Sequence, residues 1–557
     1  MAKNIPIPPE ERQLRKQLSK RTWRLNNLYW TQDQNGKKVK FRMRWAQKLF
    51  FETMWWLNEV LKVRQIGIST FTGILQLDHA LFNSDQTCGL IDRTDNDAKK
   101  KLRKILFAYE HLDDPDDPGT AALGALIKEE VKLVTSNKSE MEFSNGSKIW
   151  AATSLRGSAC NFLHVSEMGY IAYLDPKRAE EIASGCFNTV HAGNIIIVEA
   201  THEGGRYGLN YELIRQAQRF DPENATPLDW KFHFFPWWGE QTYMMEPPAG
   251  GFAIPQELAR YFEHIERECS IELSDAQKFW YMKKSQSPKV DMARQYPGTP
   301  EEALQALTEG SIYGPQIAKL RAAGRVVNFE PMDRGQLIVS WDLGQSDFHT
   351  AWLIQIIGLD INVLDYYCGR RQTVGQQVAH CMGWEKTYGK QIKKHFLPHD
   401  AKSINSSASS VYKDFIAAGV EASRVTVVPR TPDVWVGIKH LRGLLPNFRF
   451  HATNCERESE TDDGILMPSA LGAMEGYHQK IESANGRLME LPVHDAASHG
   501  ADGLRTFAEA HQRGMINSTI TGETGAVSVY GRLKRFRSGM KKKIGLREPS
   551  TTGRRRR

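Results

Sequence analysis

The chain has 557 residues and a mass of 63.3 kDa, with 41% hydrophobic and 25% charged residues, enough apolar mass for more than one core. No run approaches the ~18 apolar residues of a membrane-spanning helix, and the N-terminus lacks the apolar centre of a secretory signal, so a soluble, non-secreted protein is expected; seven scattered cysteines without a C-x-x-C pair argue against a disulfide framework or zinc knuckle and suit a reducing compartment. The net charge of +8 is unevenly placed, with +10 in residues 1–50, +11 in 531–557 and −13 between them, which predicts an acidic body with basic ends for polyanion contact or docking.

Taken in chain order, RMRWAQKLFFETMWWLNEV (42–60) predicts an aromatic-rich amphipathic helix, and STFTGILQLDHALF (69–82) another. The short apolar runs CGLI (88–91), NFLHV (161–165) and NIIIVEA (194–200) have the form of buried strands in a mainly parallel sheet. KIW (148–150), after the Asn-Gly of SNGS, reads as the return arm of a hairpin. Residues 305–333 are polar and helix-like and read as a hinge. Beyond them QLIVSWDLG, HTAWLIQIIG and NVLDYYCG predict an antiparallel meander, followed by a helix at 373–389, a strand ending in HFLPHD, a helix at 406–419 and a strand at RVTVVP.

KVRQIGIST (62–70) is a candidate phosphate loop, because Gly67, Ser69 and Thr70 at a helix mouth offer backbone N–H groups to an anion. The usual lysine position is Ile68, so the cation must come from Lys62 or Arg64, with Gln65 in the same loop. Gln47 could read an adenine edge with its amide. NFLHVSE ends in Ser166 and Glu167, where only Glu167 can polarise a water; Arg156 stands beside the turn-forming Gly157, and Thr201 and His202 end the next strand where a polar group could sense a γ-phosphate.

Gln47, Lys62 to Thr70, Arg156-Gly157, Ser166-Glu167 and Ala200 to His202, in this order and followed by RQYPGTPEEALQ (294–305), resemble the large terminase subunit of tailed bacteriophages. The last segment is the most specific signal, with Thr299 placed to cap a helix that Pro300 opens. Asp342 on a strand before Gly344, Asp400 after a second strand and Asp502 in a helical stretch fit a nuclease that holds two Mg²⁺ or Mn²⁺ ions. Asp347, Asp495 and His499 are auxiliary candidates, and His494, Asp495 and His499 could alternatively imitate a zinc set.

The resemblance implies an α/β protein with a P-loop ASCE-type ATPase domain followed by a ribonuclease-H-like mixed-sheet nuclease domain. The expected division is a basic extension at 1–40, the ATPase domain at 41–304, a linker at 305–333, the nuclease domain at 334–515 and a basic tail at 516–557. It further implies an ATP-driven DNA-packaging motor with metal-dependent endonuclease activity, using ATP and Mg²⁺ or Mn²⁺. Lys62, Arg64, Gln65, Gly67, Ser69, Thr70, Thr201 and Gln47 would bind nucleotide, with Ser69 also on the metal; Glu167 and Arg156 would act in hydrolysis, Arg156 on a neighbouring subunit. Asp342, Asp400 and Asp502 would bind the nuclease metals. Implied partners are double-stranded DNA, the portal protein, a small terminase subunit and further copies in a ring on the procapsid, with no membrane, in the host cytoplasm. Two other readings use the same residues: a helicase-like ATPase fused to a resolvase-type nuclease, and a structural adaptor whose nucleotide site is degenerate.

Overall fold

The computed structural model describes residues 15–516 except 155–156, 158, 207, 288–290, 306–309, 345–347, 404–408, 462–464 and 483–486. Arg156, Asp347 and nearly all of the basic tail therefore lie outside the described residues. The chain divides into two compact units, one comprising residues up to Gly314 together with 475–493, the other residues 315–474 and those from His494 onward.

The first unit is built on an eight-stranded sheet. Its strands in chain order are β3 (Leu57–Lys62), β4 (Thr87–Ile91), β5 (Leu133–Ser136), β6 (Glu140–Phe143), β7 (Lys148–Ala152), β8 (Phe162–Ser166), β9 (Ile195–Ala200) and β10 (Trp230–Phe235), after a small hairpin of β1 (Trp30–Gln32) and β2 (Lys38–Lys40). The spatial order is β10-β3-β9-β8-β4-β7-β6-β5. Neighbours from β10 through β7 run parallel, and β7, β6 and β5 form an antiparallel edge. Strand β9 lies between β3, which leads into the loop, and β8, which ends at Ser166; this added strand defines the ASCE class of P-loop ATPases. The three apolar runs read as strands are β4, β8 and β9, and KIW opens β7, the return arm of the β6–β7 hairpin.

Two local expectations give way. The helix expected over 42–60 ends early, as α1 (Trp45–Thr53), and LNEVLK forms β3. Buried Asn58 and Glu59 disguise that strand: the Asn58 amide accepts from the Trp55 N–H at 2.7 Å and donates to the Ile196 carbonyl at 3.1 Å, making a polar residue part of the sheet. The basic segment before residue 41 also packs instead of extending. Leu25, Leu28 and Tyr29 are fully buried, and Arg24 grips Asp78 with two hydrogen bonds of 2.8 and 2.7 Å while Tyr29 donates to the same carboxylate at 2.9 Å.

The second unit carries six strands, β11 (Gln336–Leu343), β12 (Phe348–Ile357), β13 (Asp360–Arg370), β14 (Ile392–Leu397), β15 (Val425–Val427) and β16 (Phe448–Phe450), in the order β15-β14-β11-β12-β13-β16. An antiparallel β11-β12-β13 meander with β14 and β15 added in parallel beside its first strand is the ribonuclease-H arrangement, here extended by β16 on the far edge. The stretch read as a polar hinge holds fully buried Ile312, Tyr313 and Ile317 and nearly buried Leu320, while Val327 and Met332 are exposed; its buried apolar residues are diluted by charge in sequence. No described helix is long and apolar enough to cross a membrane.

Candidate functional site

Ligands of open α/β sheets bind beyond the carboxyl ends of parallel strands, and the first unit brings its candidates together there. Strand β3 ends at Lys62, the loop follows, and α2 (Ile68–Phe82) begins directly after Gly67. Gly67 has φ +87°, and a Cβ there would lie 2.6 Å from the Arg44 guanidinium and 2.7 Å from the Gln47 amide. No other residue meets both demands. The loop is fastened from beneath: Arg44 donates to the Ile66 carbonyl at 2.8 Å, and Gln47 Nε2 to the Gly67 carbonyl at 2.9 Å. The Gln47 carbonyl oxygen accepts from the Arg44 N–H at 2.9 Å. With both ends of its amide engaged and its side chain buried, Gln47 supports the loop; this geometry does not provide the adenine reading expected of it.

Lys62 and Arg64 part company. Lys62 is buried and stands 3.0 Å from Glu199 Oε2 and 3.5 Å from Glu167 Oε1. Burial alone would lower its affinity for a proton, but the two carboxylates outweigh burial and raise it, so the ammonium is kept. Arg64 is exposed and turned to Gln295, whose side-chain oxygen accepts from it at 3.2 Å. Gln65 is exposed at φ 58°.

Glu199, on β9, escaped the sequence reading and lies at the centre of the cluster. It is fully buried, and its Oε1 accepts from Ser69 Oγ at 2.6 Å and from Ser166 Oγ at 2.5 Å. Burial works against its charge, yet Lys62, His164 and Lys101 hold it well below the usual carboxylate range. Lys101 in turn donates to Ser166 Oγ and to Asp92, each at 2.5 Å. Glu167 caps α3 (Met168–Leu174) in a left-handed conformation, φ 60°, which turns its side chain out of the strand direction at the tip of β8. Thr70 borders a small cavity with Ser69, Lys101, Lys104 and His164. Thr201 follows β9, and His202 is buried, its ring bridging the Gly205 carbonyl at 2.6 Å and the Asn210 amide at 2.9 Å. Burial lowers His202 to about 4, so it is a neutral brace for its loop. Glu199 carried one sequence signal: an acid interrupting the run IIIVEA at a strand end.

RQYPGTPEEALQ forms the capped helix start that its spacing predicts. Thr299 Oγ1 accepts from the Glu302 N–H at 3.1 Å and the helix runs Pro300–Gln305. Glu302 also accepts from the Gly298 N–H at 2.6 Å and from Tyr261 at 3.1 Å, and burial raises it to about 7.

In the second unit Asp342 is on β11, and α4 (Ala496–Gln512) crosses β11 and β12. Gly500 and Gly503 permit that crossing, since a Cβ on Gly503 would sit 2.7 Å from Thr350 Oγ1 and one on Gly500 2.5 Å from the Ala473 Cβ. Ser340, Thr350 and Trp352 donate to carbonyls of α4 at 2.7, 2.9 and 2.9 Å. The helix is thereby seated so that His499 Nδ1 lies 2.8 Å from Asp342 Oδ2. Burial, with Asp502 and Asp400 nearby, raises Asp342 above its ordinary value against the pull of His499. Asp502 is held by Arg505 Nε at 3.1 Å. Strand β14 ends at Leu397, three residues short of Asp400, which is exposed in a single helical turn after Pro398. Asp495 caps α4, accepting from the Ser498 N–H at 3.0 Å, and His494 lies against Ser498 Oγ at 3.1 Å; these roles leave no zinc set of His494, Asp495 and His499. Asp342, Asp400 and Asp502 offer carboxylate oxygens, the donor type suited to a hard divalent cation, although among the described residues no three acidic, His or Cys side chains are already gathered around one point. In the first unit, the Ser69 hydroxyl and Glu199 are likewise hard oxygen donors.

No protein-family model and no curated protein matches the sequence. Among solved structures, the chain is similar to the large terminase of bacteriophage HK97 at 11% identity and a TM-score of 0.40, covering 89% of this chain and 99% of that one. The large terminase of a thermophilic bacteriophage, in complex with ATP-gamma-S, is similar at 13% identity and a TM-score of 0.27, over 83% of this chain and 96% of that one. The g2p nuclease domain of bacteriophage SPP1, with bound Mn, is similar at 11% and 0.22, over 32% and 86% respectively. At these values the fold assignment stands on the strand orders above.

Proposed function

We propose that the chain is the large subunit of a viral DNA-packaging terminase, translocating double-stranded DNA into a procapsid by ATP hydrolysis in the first unit and cutting concatemeric DNA in the second. The observation that supports this reading is the coexistence on one chain of two sheets, each with candidate residues at the end of its strands. An added-strand P-loop sheet has Lys62, Ser69 and Glu167 at its carboxyl edge, and a ribonuclease-H sheet has Asp342 on its first strand, with Asp400 and Asp502 acting on that carboxylate.

In the ATPase centre, Gly67 and the N–H groups opening α2 receive phosphate oxygens. Lys62, already charged in a dry site, moves from its carboxylates to the β- and γ-phosphates. Glu167, the more exposed of its two carboxylate partners, orients the attacking water. Ser69 supplies a metal-side hydroxyl, Arg64, Gln65 and Thr70 line the loop, Thr201 senses the γ-phosphate, and Arg156 reaches a neighbouring subunit's nucleotide. In the nuclease centre Asp342, Asp400 and Asp502 would hold Mg²⁺ or Mn²⁺, which would supply charge stabilisation for phosphodiester cleavage. His499 fixes the orientation of Asp342. The domain limits proposed are ATPase within 41–304 and nuclease within 334–515. The portal, a small terminase subunit and DNA are the partners, with the basic end after residue 516 as a docking or tethering arm.

ATPase measured with DNA alone, with procapsids lacking portal and with portal-bearing procapsids tests this reading. Stimulation by portal-bearing procapsids and DNA together is expected. Full stimulation by DNA alone would favour a helicase-like enzyme acting outside packaging.

A further inference from the structure

Phosphate loops usually share their metal between the loop Ser/Thr and an acid on the neighbouring strand tip, and the residue preceding Glu167, where that acid belongs, is Ser166. The ladder shows where a carboxylate has gone. Ser166 pairs with Glu199 across the parallel β8–β9 register, so the two side chains leave the same face of the sheet about 4.8 Å apart at the backbone. The Glu199 side chain spans that gap: the oxygen that accepts from Ser166 Oγ at 2.5 Å also accepts from Ser69 Oγ at 2.6 Å. A carboxylate bonded to the loop hydroxyl is the arrangement that the missing acid would make from position 166.

We propose that Glu199 is the metal-side carboxylate of the nucleotide centre, transferred by one strand from position 166 to β9, with Ser166 reduced to a hydroxyl that orients it. This rests on the ATPase reading above and specifies how the nucleotide's divalent cation is held. Lys62 faces the same carboxylate at 3.0 Å, Lys101 acts on it through Ser166, and His164 approaches to 3.4 Å. Lys62 keeps Glu199 ionised in a buried site until phosphate draws the ammonium away. The carboxylate then needs a replacement cation at the place where Ser69 already points. An alternative role, in which Glu199 serves merely as a counter-ion that stores Lys62, makes a different prediction about metal.

The test uses full-length protein, ADP, and Mn²⁺ as the probe, with bound Mn²⁺ counted by electron paramagnetic resonance and nucleotide affinity measured separately in EDTA with a fluorescent ATP analogue. Asp342→Asn is present in every sample, so that the second unit does not contribute Mn²⁺. Glu199→Gln should weaken Mn²⁺ in the nucleotide complex by roughly 10- to 100-fold, the scale on which groups supporting a bound metal act, while affinity in EDTA changes far less. Ser166→Asp added to Glu199→Gln should restore Mn²⁺, and this double variant, which keeps a carboxylate on the same rung, remains a test if the single variant does not fold. Unchanged Mn²⁺ binding in folded Glu199→Gln, or equal losses with and without metal, would overturn the proposal and leave Glu199 as the keeper of Lys62. A folded double variant without restored Mn²⁺ would overturn it too. A parent protein that binds no nucleotide in either condition would instead overturn the ATPase reading itself.

Discussion

Glu199 and Asp342 are both acids near the carboxyl ends of buried strands, yet the fold treats their charge in opposite ways. Glu199 is the more deeply buried and is held ionised against that burial by Lys62, His164 and Lys101. Asp342 retains about 20% side-chain exposure and is pushed toward its neutral form by burial, to which Asp502 and Asp400 add and against which His499 pulls. Burial opposes the charge at both acids; the cations beside Glu199 overcome it, and the neighbours of Asp342 do not. Glu199 already has cations beside it, whereas the buried charge of Asp342 would gain from one.

The same carboxylate-to-amide change should separate the two centres. Asp342→Asn is expected to lower DNA cleavage by roughly 10³-fold, corresponding to the several kcal/mol that metal-borne charge stabilisation supplies. Its metal-free thermal stability should stay level or rise, since a repelling charge is removed. A clear fall in melting temperature would mean that Asp342 is bound into the fold and not poised for a cation. Glu199→Gln should do the reverse to stability, costing about 3 kcal/mol in urea unfolding, as expected when one member of a buried ion pair is removed. An unchanged midpoint would show that Lys62 does not depend on it.

Glu167→Gln should leave nucleotide binding intact while turnover falls by about 10²-fold or more, the range for a group that handles a reacting proton. Joint loss of binding and turnover would assign Glu167 to the structure of the loop, through its contact with Lys62.

A smaller effect concerns protons. His395 is buried in the second unit beside Trp341, and burial lowers it to about 3. The unfolded chain takes up a proton there near pH 6.5, while the folded chain refuses it until about pH 3. The stability linked to His395 is therefore whole above pH 6.5 and drains away as pH falls toward 3, amounting to about 2 kcal/mol at pH 5. His395→Gln should flatten the loss between pH 7 and pH 5 by that amount. An unaltered slope would show that water reaches the ring.

Much of the architecture was legible because parallel strands write themselves as short apolar runs and the meander as three alternating runs bounded by turns. Strand β3 was hidden by Asn58 and Glu59, whose polarity is compensated or endured by contacts that sequence does not display. The loop, Glu167, Asp342, Asp400 and Asp502 could be named from the order of the motifs and the resemblance that order carries, and His499 could be named though not ranked. Its rank comes from the seating of α4 by Gly500 and Gly503. Glu199 was missed because its partners Lys62, Ser69 and Ser166 are brought beside it only by strand order. Gln47 was expected to read an adenine edge, and its buried amide instead accepts from the Arg44 N–H and donates to the Gly67 carbonyl, contacts that only the fold displays.

The central claim is that one chain houses two independent chemistries, and the most direct measurement follows both on the same preparations: ATP hydrolysis and cleavage of linear double-stranded DNA, with Mg²⁺ or Mn²⁺, by the unaltered protein, Glu167→Gln and Asp342→Asn. The account predicts both activities in the unaltered protein, loss of hydrolysis with retained cutting in the first variant, and loss of cutting with retained hydrolysis in the second. Absence of either activity from the unaltered protein, or loss of both in each folded variant, would contradict it.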